Sequence, residues 1–528
     1  MMIFILLFTL FNLFNSEKIK GTNLGSLFVL EPYINPSLFY QFLGINDRVV
    51  GDTYNFCDYL GPKEANRQLR IHWETWVNEE KLNKLKTLGI NTIRIPIGDW
   101  MFIPYYTYKN EEDGIKCFDG SLEYLDRIMN HLSIIGINAI IDLHAVKDSQ
   151  NGFDNSGYAN KIITHKKNNI LHFSHWNTRK ADWIGDFNLS TKSYNNINYN
   201  NIFFTLRVIE KILDRYKNYK SFWGLEPINE PWEFTPLNEL KLFYKNVYDL
   251  FIKKVNNNKV LIFHDSFRPQ NWTSYKFLEK YSKPKVKIYL DTHQYMAWGI
   301  PIKFNKYLDG AKLWKQPYTV FNIIVGEFSL ATDNCIMWLN GFMDNQEGYP
   351  NQECYYDDCP FKDIYIDQIL NGLNGPFGSG ESYPNKFGQC PNSIPFYLNK
   401  NISLDDDLIK HSKNYNKNDK EKYYATTLFE KLTESYEKNS DGWIFWNFDT
   451  ESSSYQWSYI NINDKGYLKI YEKEKLNNIN DLRIFGSIFL IIIIIVLFII
   501  YLYFNYKNDK RTGYRIVETT QNYGTINV

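Results

Sequence analysis

The stretch Gly224-Leu225-Glu226-Pro227-Ile228-Asn229-Glu230-Pro231 places an Asn-Glu pair directly before a proline, at the end of an apolar segment. Proline cannot donate to a sheet ladder and biases the residue before it toward extended backbone, so the pattern predicts a strand tip with Glu230 held at its rim. Alone, such a motif is ordinary loop entry. A second stretch changes its weight, because Ile323-Ile324-Val325-Gly326-Glu327-Phe328-Ser329 is another apolar run ending in an acid. Two carboxylates delivered to one cleft by separate strands are the equipment for cleaving a glycosidic bond.

Outward from these two points, strands and helices alternate. A first strand is expected within 18–30, where Gly21 and Gly25 bracket Asn23 and the run closes on Glu31 and Pro32. A helix at 73–88 precedes a strand at 90–97 whose alternation puts Thr92 and Arg94 on one face. The unit repeats with a helix at 121–135 ended by Gly136, and a strand at 137–143 that delivers His144. A helix at 202–216 leads into the Glu230 strand, and another at 237–251 follows it; strands at 260–264, 288–293 and 321–327, a helix at 421–437 and a last strand at 442–448 complete the count. Eight strands, most of them followed by a helix, predict an α/β fold, a parallel (β/α)8 TIM barrel. Its active site lies where the strands end, and Arg94, His144, Asn229, Glu230, His293, Glu327 and Trp446 all fall at or near such ends. The Asn-rich stretch 158–200 reads as irregular surface, with His165, His172 and His175 solvated rather than metal-binding. The excursion 343–400 is either a cysteine-pinned cap near the site or a tolerated surface insertion.

Composition narrows the class. Lys plus Arg and Asp plus Glu each total 59, so no global field attracts a polyanion and nucleic acid is not an expected partner. Both ends carry membrane signals. Residues 1–16 are an apolar run too short to span a bilayer, expected as a secretory signal peptide. Residues 485–504 lack any charge and match the length of a transmembrane helix. Lys507, Lys510, Arg511 and Arg515 follow, which places the 505–528 tail in the cytoplasm. The expected topology is therefore single-pass at the plasma membrane, with a domain at 17–475 on the cell surface. Six cysteines fit an oxidising compartment and leave fifteen pairings open. No CxxC metal spacing occurs, and no metal or organic cofactor is implied. Asn188, Asn271 and Asn401 begin N-x-Ser/Thr triplets and are glycosylation candidates.

Eight motifs resemble the fungal exo-β-1,3-glucanases of glycoside hydrolase family 5. They are NLGSLFVLEPYINPSLF (23–39), HWETWVNEE (72–80), IRIPIGDW (93–100), IDLHAVKDSQNGFDNSG (141–157), NEPW (229–232), VGEFS (325–329), CIMWLNGF (335–342) and GWIFWNFDTE (442–451). The resemblance covers about residues 21–459 and implies Glu230 as acid/base and Glu327 as nucleophile. It implies that Arg94, His144, Asn229, His293 and Tyr295 surround them, with Trp446 as a sugar-stacking platform. By the same resemblance Glu31, Asp154 and Asn155 bind the non-reducing glucose, Phe153 and Trp298 form an aromatic clamp at the entrance, and Cys335 and Cys390 form a disulfide.

Chemistry supports these roles. Arg94 beside Glu327 keeps the nucleophile ionised, while Glu230 must hold a proton for the leaving oxygen. Retention needs the two carboxyl groups only about 5 to 5.5 Å apart. The expected activity is thus a retaining exo-glucosidase that releases glucose from β-1,3-glucan, with transglucosylation during cell-wall remodelling when acceptors abound, in a monomeric protein. Two alternatives stay open: a non-catalytic glucan-binding surface protein, or the same fold acting on β-1,6-glucan or another β-glucoside. Departures from the family pattern at Ala145 to Asp148 and at Phe448 and Asp449 touch the pocket rim and bear on linkage preference.

Overall fold

In the computed structural model, eight parallel strands close into a barrel, in the order β1-β12-β11-β10-β9-β8-β3-β2, with β2 pairing back onto β1. The barrel strands are β1 (Ile19–Asn23), β2 (Thr92–Gly98), β3 (Asn138–Ala145), β8 (Phe222–Glu226), β9 (Val260–His264), β10 (Lys287–Gln294), β11 (Asn322–Phe328) and β12 (Gly442–Phe445). The structure describes residues 18–42, 50–103, 116–158, 163–167, 170–174, 181–188, 190–255, 258–278, 284–297, 302, 304–332, 336, 339, 417–451, 454–468 and 495–507.

Helices α1 (Thr53–Trp76), α2 (Glu79–Thr87), α3 (Ser121–Ile135), α4 (Tyr199–Tyr216), α5 (Leu237–Lys254), α6 (Phe304–Leu313) and α7 (Lys417–Asn439) flank the strands, and a short α8 (Tyr459–Asp464) closes the unit. The amphipathic pattern explains α3, which buries Leu125, Ile128, Met129 and Leu132 and stops at Gly136 in left-handed backbone. The expected helix at 73–88 is two helices. Asn78 interrupts it, because its side chain accepts from Lys81 N at 2.9 Å and starts α2 as a cap. Upstream, α1 runs back to Thr53 across a break at Gly61 and Pro62, beyond the reach of the apolar spacing that marked 73–88. Helix α6 was not foreseen.

The 158–200 stretch is more ordered than expected. It forms two antiparallel hairpins, β4 (Ile163–Lys167) with β5 (Ile170–Ser174) and β6 (Gly185–Asn188) with β7 (Ser193–Ile197). Cross-strand pairing satisfies the backbone of an Asn-rich chain that lacks an apolar alternation to advertise it.

Inside the barrel, Ile19, Ile140, Val260, Ile262, Tyr289, Ile324 and Ile444 pack as one apolar cluster. Two residues further along their strands the same face turns polar, at Asp142 on β3 and Asp291 on β10. Register shifts then appear at the strand ends. His144 is the extra residue of β3 against β2, and Gly326 the extra residue of β11 against β10, so that His293 pairs with Glu327. Such bulges re-aim side chains beside a site. Gly326 is required there by close approach, since a Cβ would lie 1.9 Å from Asp291 Oδ2.

The chain divides into two units, Met1–Leu468 and Lys469–Val528. The second is helical and solvent-exposed over 495–507. Among the described residues no helix is long and apolar enough to cross a membrane. The signal run 1–16, the first half of the 485–504 span, the 343–400 insertion, Trp298, Cys335, Cys390 and Asn401 lie outside the described residues. Of the cysteine pairings left open, Cys57 bonds Cys117 and ties α1 to the turn before α3.

Candidate active site

Arg94 is the centre of the polar layer. Its side chain is fully buried and spends every nitrogen on other strands of the barrel or the turn after β8: Nε donates to Glu226 Oε2 at 2.8 Å, Nη1 to Glu327 Oε1 at 2.8 Å and to Asn23 Oδ1 at 3.0 Å, and Nη2 to Asn229 Oδ1 at 2.7 Å. Asp142 Oδ2 is a further partner at 3.2 Å. A guanidinium can satisfy so many acceptors because its donors are fixed in one plane. It therefore locks the ends of β1, β2, β3, β8 and β11 into one constellation.

His293 joins the two glutamates. Its Nδ1 lies 2.6 Å from Glu230 Oε1 and 3.3 Å from Glu327 Oε2. The nearest oxygens of the pair cannot be farther apart than those two distances laid end to end. Tyr295 donates its hydroxyl to Glu327 Oε2 at 2.7 Å, and Asn155 Nδ2 donates to Glu230 Oε2 at 3.2 Å. His144 rests its Nδ1 2.6 Å from Asp142 Oδ2 and stacks on Trp446 with ring centroids 5.6 Å apart and planes 10° apart. Trp446 Nε1 in turn donates to Tyr33 Oη.

Glu230 is not at a strand rim in extended backbone. Strand β8 ends at Glu226, and Glu230 sits four residues on at φ +43°, in the left-handed region. The bias that proline imposes on the preceding residue is outweighed by the hydrogen bonds that hold the carboxylate on His293 and Asn155 and by those that hold the neighbouring carbonyls.

The electrostatics also revise an expectation. Burial opposes charge on Glu230, yet the hydrogen bond from His293 and the fields of His293, His264 and His144 prevail and take its pKa down to about 2. Burial holds the Glu327 carboxyl above the usual range, and Glu230 adds to this, against the pull of His293 and Arg94. His293 itself is raised well above the ordinary histidine value, because Glu327 and Asp291 outweigh its burial. In the resting site the shared proton therefore sits on His293, between the two carboxylates, rather than on Glu230.

Glu31 lies within electrostatic reach of the same constellation. It is buried, one of its oxygens has no hydrogen-bond partner, and burial together with Asp154, Glu327 and Glu230 holds its carboxyl well above the usual range. Asp154 is half-buried, and burial followed by the nearby Asp52 pushes it up to about 7. Phe153, in the same loop, is half-buried. Asn188, the last residue of β6, and Asn271, the last of a short 3-10 helix, are half-buried, and Asn188 Oδ1 accepts from Ser190 N and Thr191 N at 2.9 and 3.1 Å.

Sequence reasoning passed over Asp142, Glu226, His264 and Asp291. The missed signal was period two: Asp142 precedes His144, and Asp291 precedes His293, by one same-face step. Two buried trios, Glu230 with His264 and His293, and Glu226 with Asp291 and His293, bring oxygen and nitrogen atoms within 4.8 Å of one another. Neither suits a cation. His264 Nδ1 already accepts from Ser266 N at 3.0 Å, which leaves the ring hydrogen on Nε2, and Glu226 already faces the Arg94 guanidinium.

The family profile described as cellulase (glycosyl hydrolase family 5) matches residues 58–334, more than half of the chain. The chain belongs to glycosyl hydrolase family 5. The sporulation-specific glucan 1,3-beta-glucosidase of Saccharomyces cerevisiae is 32% identical over 344 residues, covering 62% of this family 5 enzyme and 67% of the relative. The glucan 1,3-beta-glucosidase of Blumeria graminis is 26% identical over 465 residues, covering 86% and 87%. Rutinosidase from Aspergillus niger shares the fold, with a TM-score of 0.52 at 15% identity over 86% of this chain and 98% of that one.

Proposed function

We propose that this family 5 enzyme is a retaining exo-glucosidase that releases glucose from the non-reducing end of β-1,3-glucan. The observation that carries the reading is His293 Nδ1 touching both glutamates, at 2.6 Å and 3.3 Å, because their facing oxygens then lie no farther apart than those two distances together, short of the roughly 6.5 to 9.5 Å that an inverting pair needs to admit a water. Arg94 and Tyr295 donate to the two oxygens of Glu327, offset part of the cost of charging it in a buried site and aim it for attack on the anomeric carbon. The proton on His293 passes along its 2.6 Å bond to Glu230 and from there to the departing oxygen. Glu230, then anionic, takes a proton from the water that releases glucose from Glu327; an incoming sugar hydroxyl in place of that water gives transglucosylation. Trp446 is the floor under the sugar, and Glu31, Asp154 and Asn155 hold its far hydroxyls. The names of the relatives support a β-1,3-glucan rather than another β-glucoside.

The chain is delivered by residues 1–16 and anchored by 485–504, with the barrel outside the cell. An oxidising compartment agrees with the Cys57–Cys117 bond. Glu327→Ala tests the chemistry. The purified variant should melt at nearly the parental temperature and lose turnover of laminarin and of aryl β-glucosides, and activity at the parental rate would refute the assignment.

A further inference from the structure

Glu230 occupies left-handed backbone just before Pro231, a conformation that costs energy and persists only where neighbours over-determine it. Its neighbours lead to β9. Ser266 Oγ donates to Pro231 O at 2.8 Å and to Trp232 O at 3.0 Å, which fixes the turn on the C-terminal side of Glu230. Ser266 and Phe267 are themselves left-handed, at φ +56° and +57°. What holds that second turn is His264, the last residue of β9, whose Nδ1 accepts from Ser266 N at 3.0 Å, with Asp265 Oδ1 accepting from Phe267 N at 2.7 Å.

The ring of His264 does a second job. It is fully buried, and it stands edge-on to His293 with centroids 4.5 Å apart and planes 76° apart. Its backbone is pinned from outside by Tyr244 Oη donating to His264 O at 2.9 Å. The charged and titratable groups facing it are Glu230 after β8, His293 and Asp291 on β10, Arg94 on β2, His144 on β3 and Asp265 beside it. Burial first, and the positive His293 second, keep its pKa well below the ordinary histidine value, so it stays neutral. With Nδ1 engaged, its hydrogen is on Nε2, which is buried and has no partner. An unmade buried donor is costly, and one so placed argues that the ring is kept for more than packing.

We propose that His264 is a positioning residue for Glu230, fixing its backbone through Ser266 and its proton through the edge contact that keeps His293 Nδ1 on the Glu230 carboxylate. This rests on the reading of Glu230 as the acid. It predicts that damage to the brace is felt only where the leaving group needs a proton. His264→Asn keeps an acceptor for Ser266 N but removes the ring edge; Ser266→Ala keeps the ring but removes the hydroxyl that holds Pro231 and Trp232.

The test measures kcat/KM against pH for aryl β-glucosides of graded leaving-group acidity, on the full chain. Both variants should lose about 10- to 100-fold on phenyl β-glucoside, a part of what general acid catalysis contributes, and less than about twofold on 2,4-dinitrophenyl β-glucoside. The alkaline limb of the phenyl profile should shift by about one unit. Equal losses on both substrates with an unmoved pH profile, no loss at all, or failure of both variants to fold would overturn the proposal. A parent without activity on any aryl β-glucoside would instead defeat the functional reading and is thereby distinguishable.

Discussion

Asp154 shows how far a single side chain can be displaced from its usual chemistry in this site. Burial and the nearby Asp52 push its carboxyl up to about 7, against the pull of the Asn155 backbone N–H at 3.1 Å. An acid whose folded pKa is raised binds its proton more tightly when folded than the unfolded chain does at about 3.9. The stability this confers is fully present below about pH 3.9 and is lost as pH climbs to about 7, where folding must tolerate the charge. Asp154→Asn removes that slope. Urea unfolding at pH 4, 5.5, 7 and 8 should show the variant gaining on the parent across this window, and a constant difference at all four values would contradict it.

At the scale of elements, the site depends on how strand ends are tied to the loops around them. Cys57 and Cys117 close 60 residues of chain that include β2 and its Arg94. A cross-link of that span limits the unfolded ensemble, and losing it typically costs about 2 to 5 kcal/mol. The double variant Cys57→Ser with Cys117→Ser should fall in urea midpoint by a corresponding amount at an unchanged slope, and an unmoved midpoint would deny the bond a stabilising role. Element types were legible wherever periodicity was strong: α3 was placed at its true ends, β9 likewise, and eight strands implied the closed barrel. Legibility failed where a single side chain or a register shift decides. The Asn78 cap splits what spacing alone makes one helix, and His144 and Gly326 are bulged residues that no alternation announces. The site followed the same rule. Strand-end residues were found, but Glu230 lies in a turn whose backbone is set by Ser266 from the turn after β9, a contact that only the fold creates.

At the scale of the whole molecule, the barrel can be freed from both expected membrane segments only if the cuts respect β1. That strand pairs β12 on one side and β2 on the other, and Lys18 Nζ just before it donates to Ser440 O at 2.8 Å, so a cut that removed β1 would open the barrel and leave two unpaired edges. A chain of residues 17–468 keeps every barrel strand, and its first unit ends at Leu468. It should therefore melt within a few degrees of the full chain, hydrolyse aryl β-glucosides at the same kcat/KM and stay in the supernatant. The full chain should sediment with membranes and be released by detergent, not by alkaline carbonate. Recovery of the full chain in the carbonate supernatant would refute the anchor at 485–504 while leaving the chemistry intact. A truncated chain that cannot fold would instead mean that the barrel needs residues beyond 468, because no strand of it has been removed.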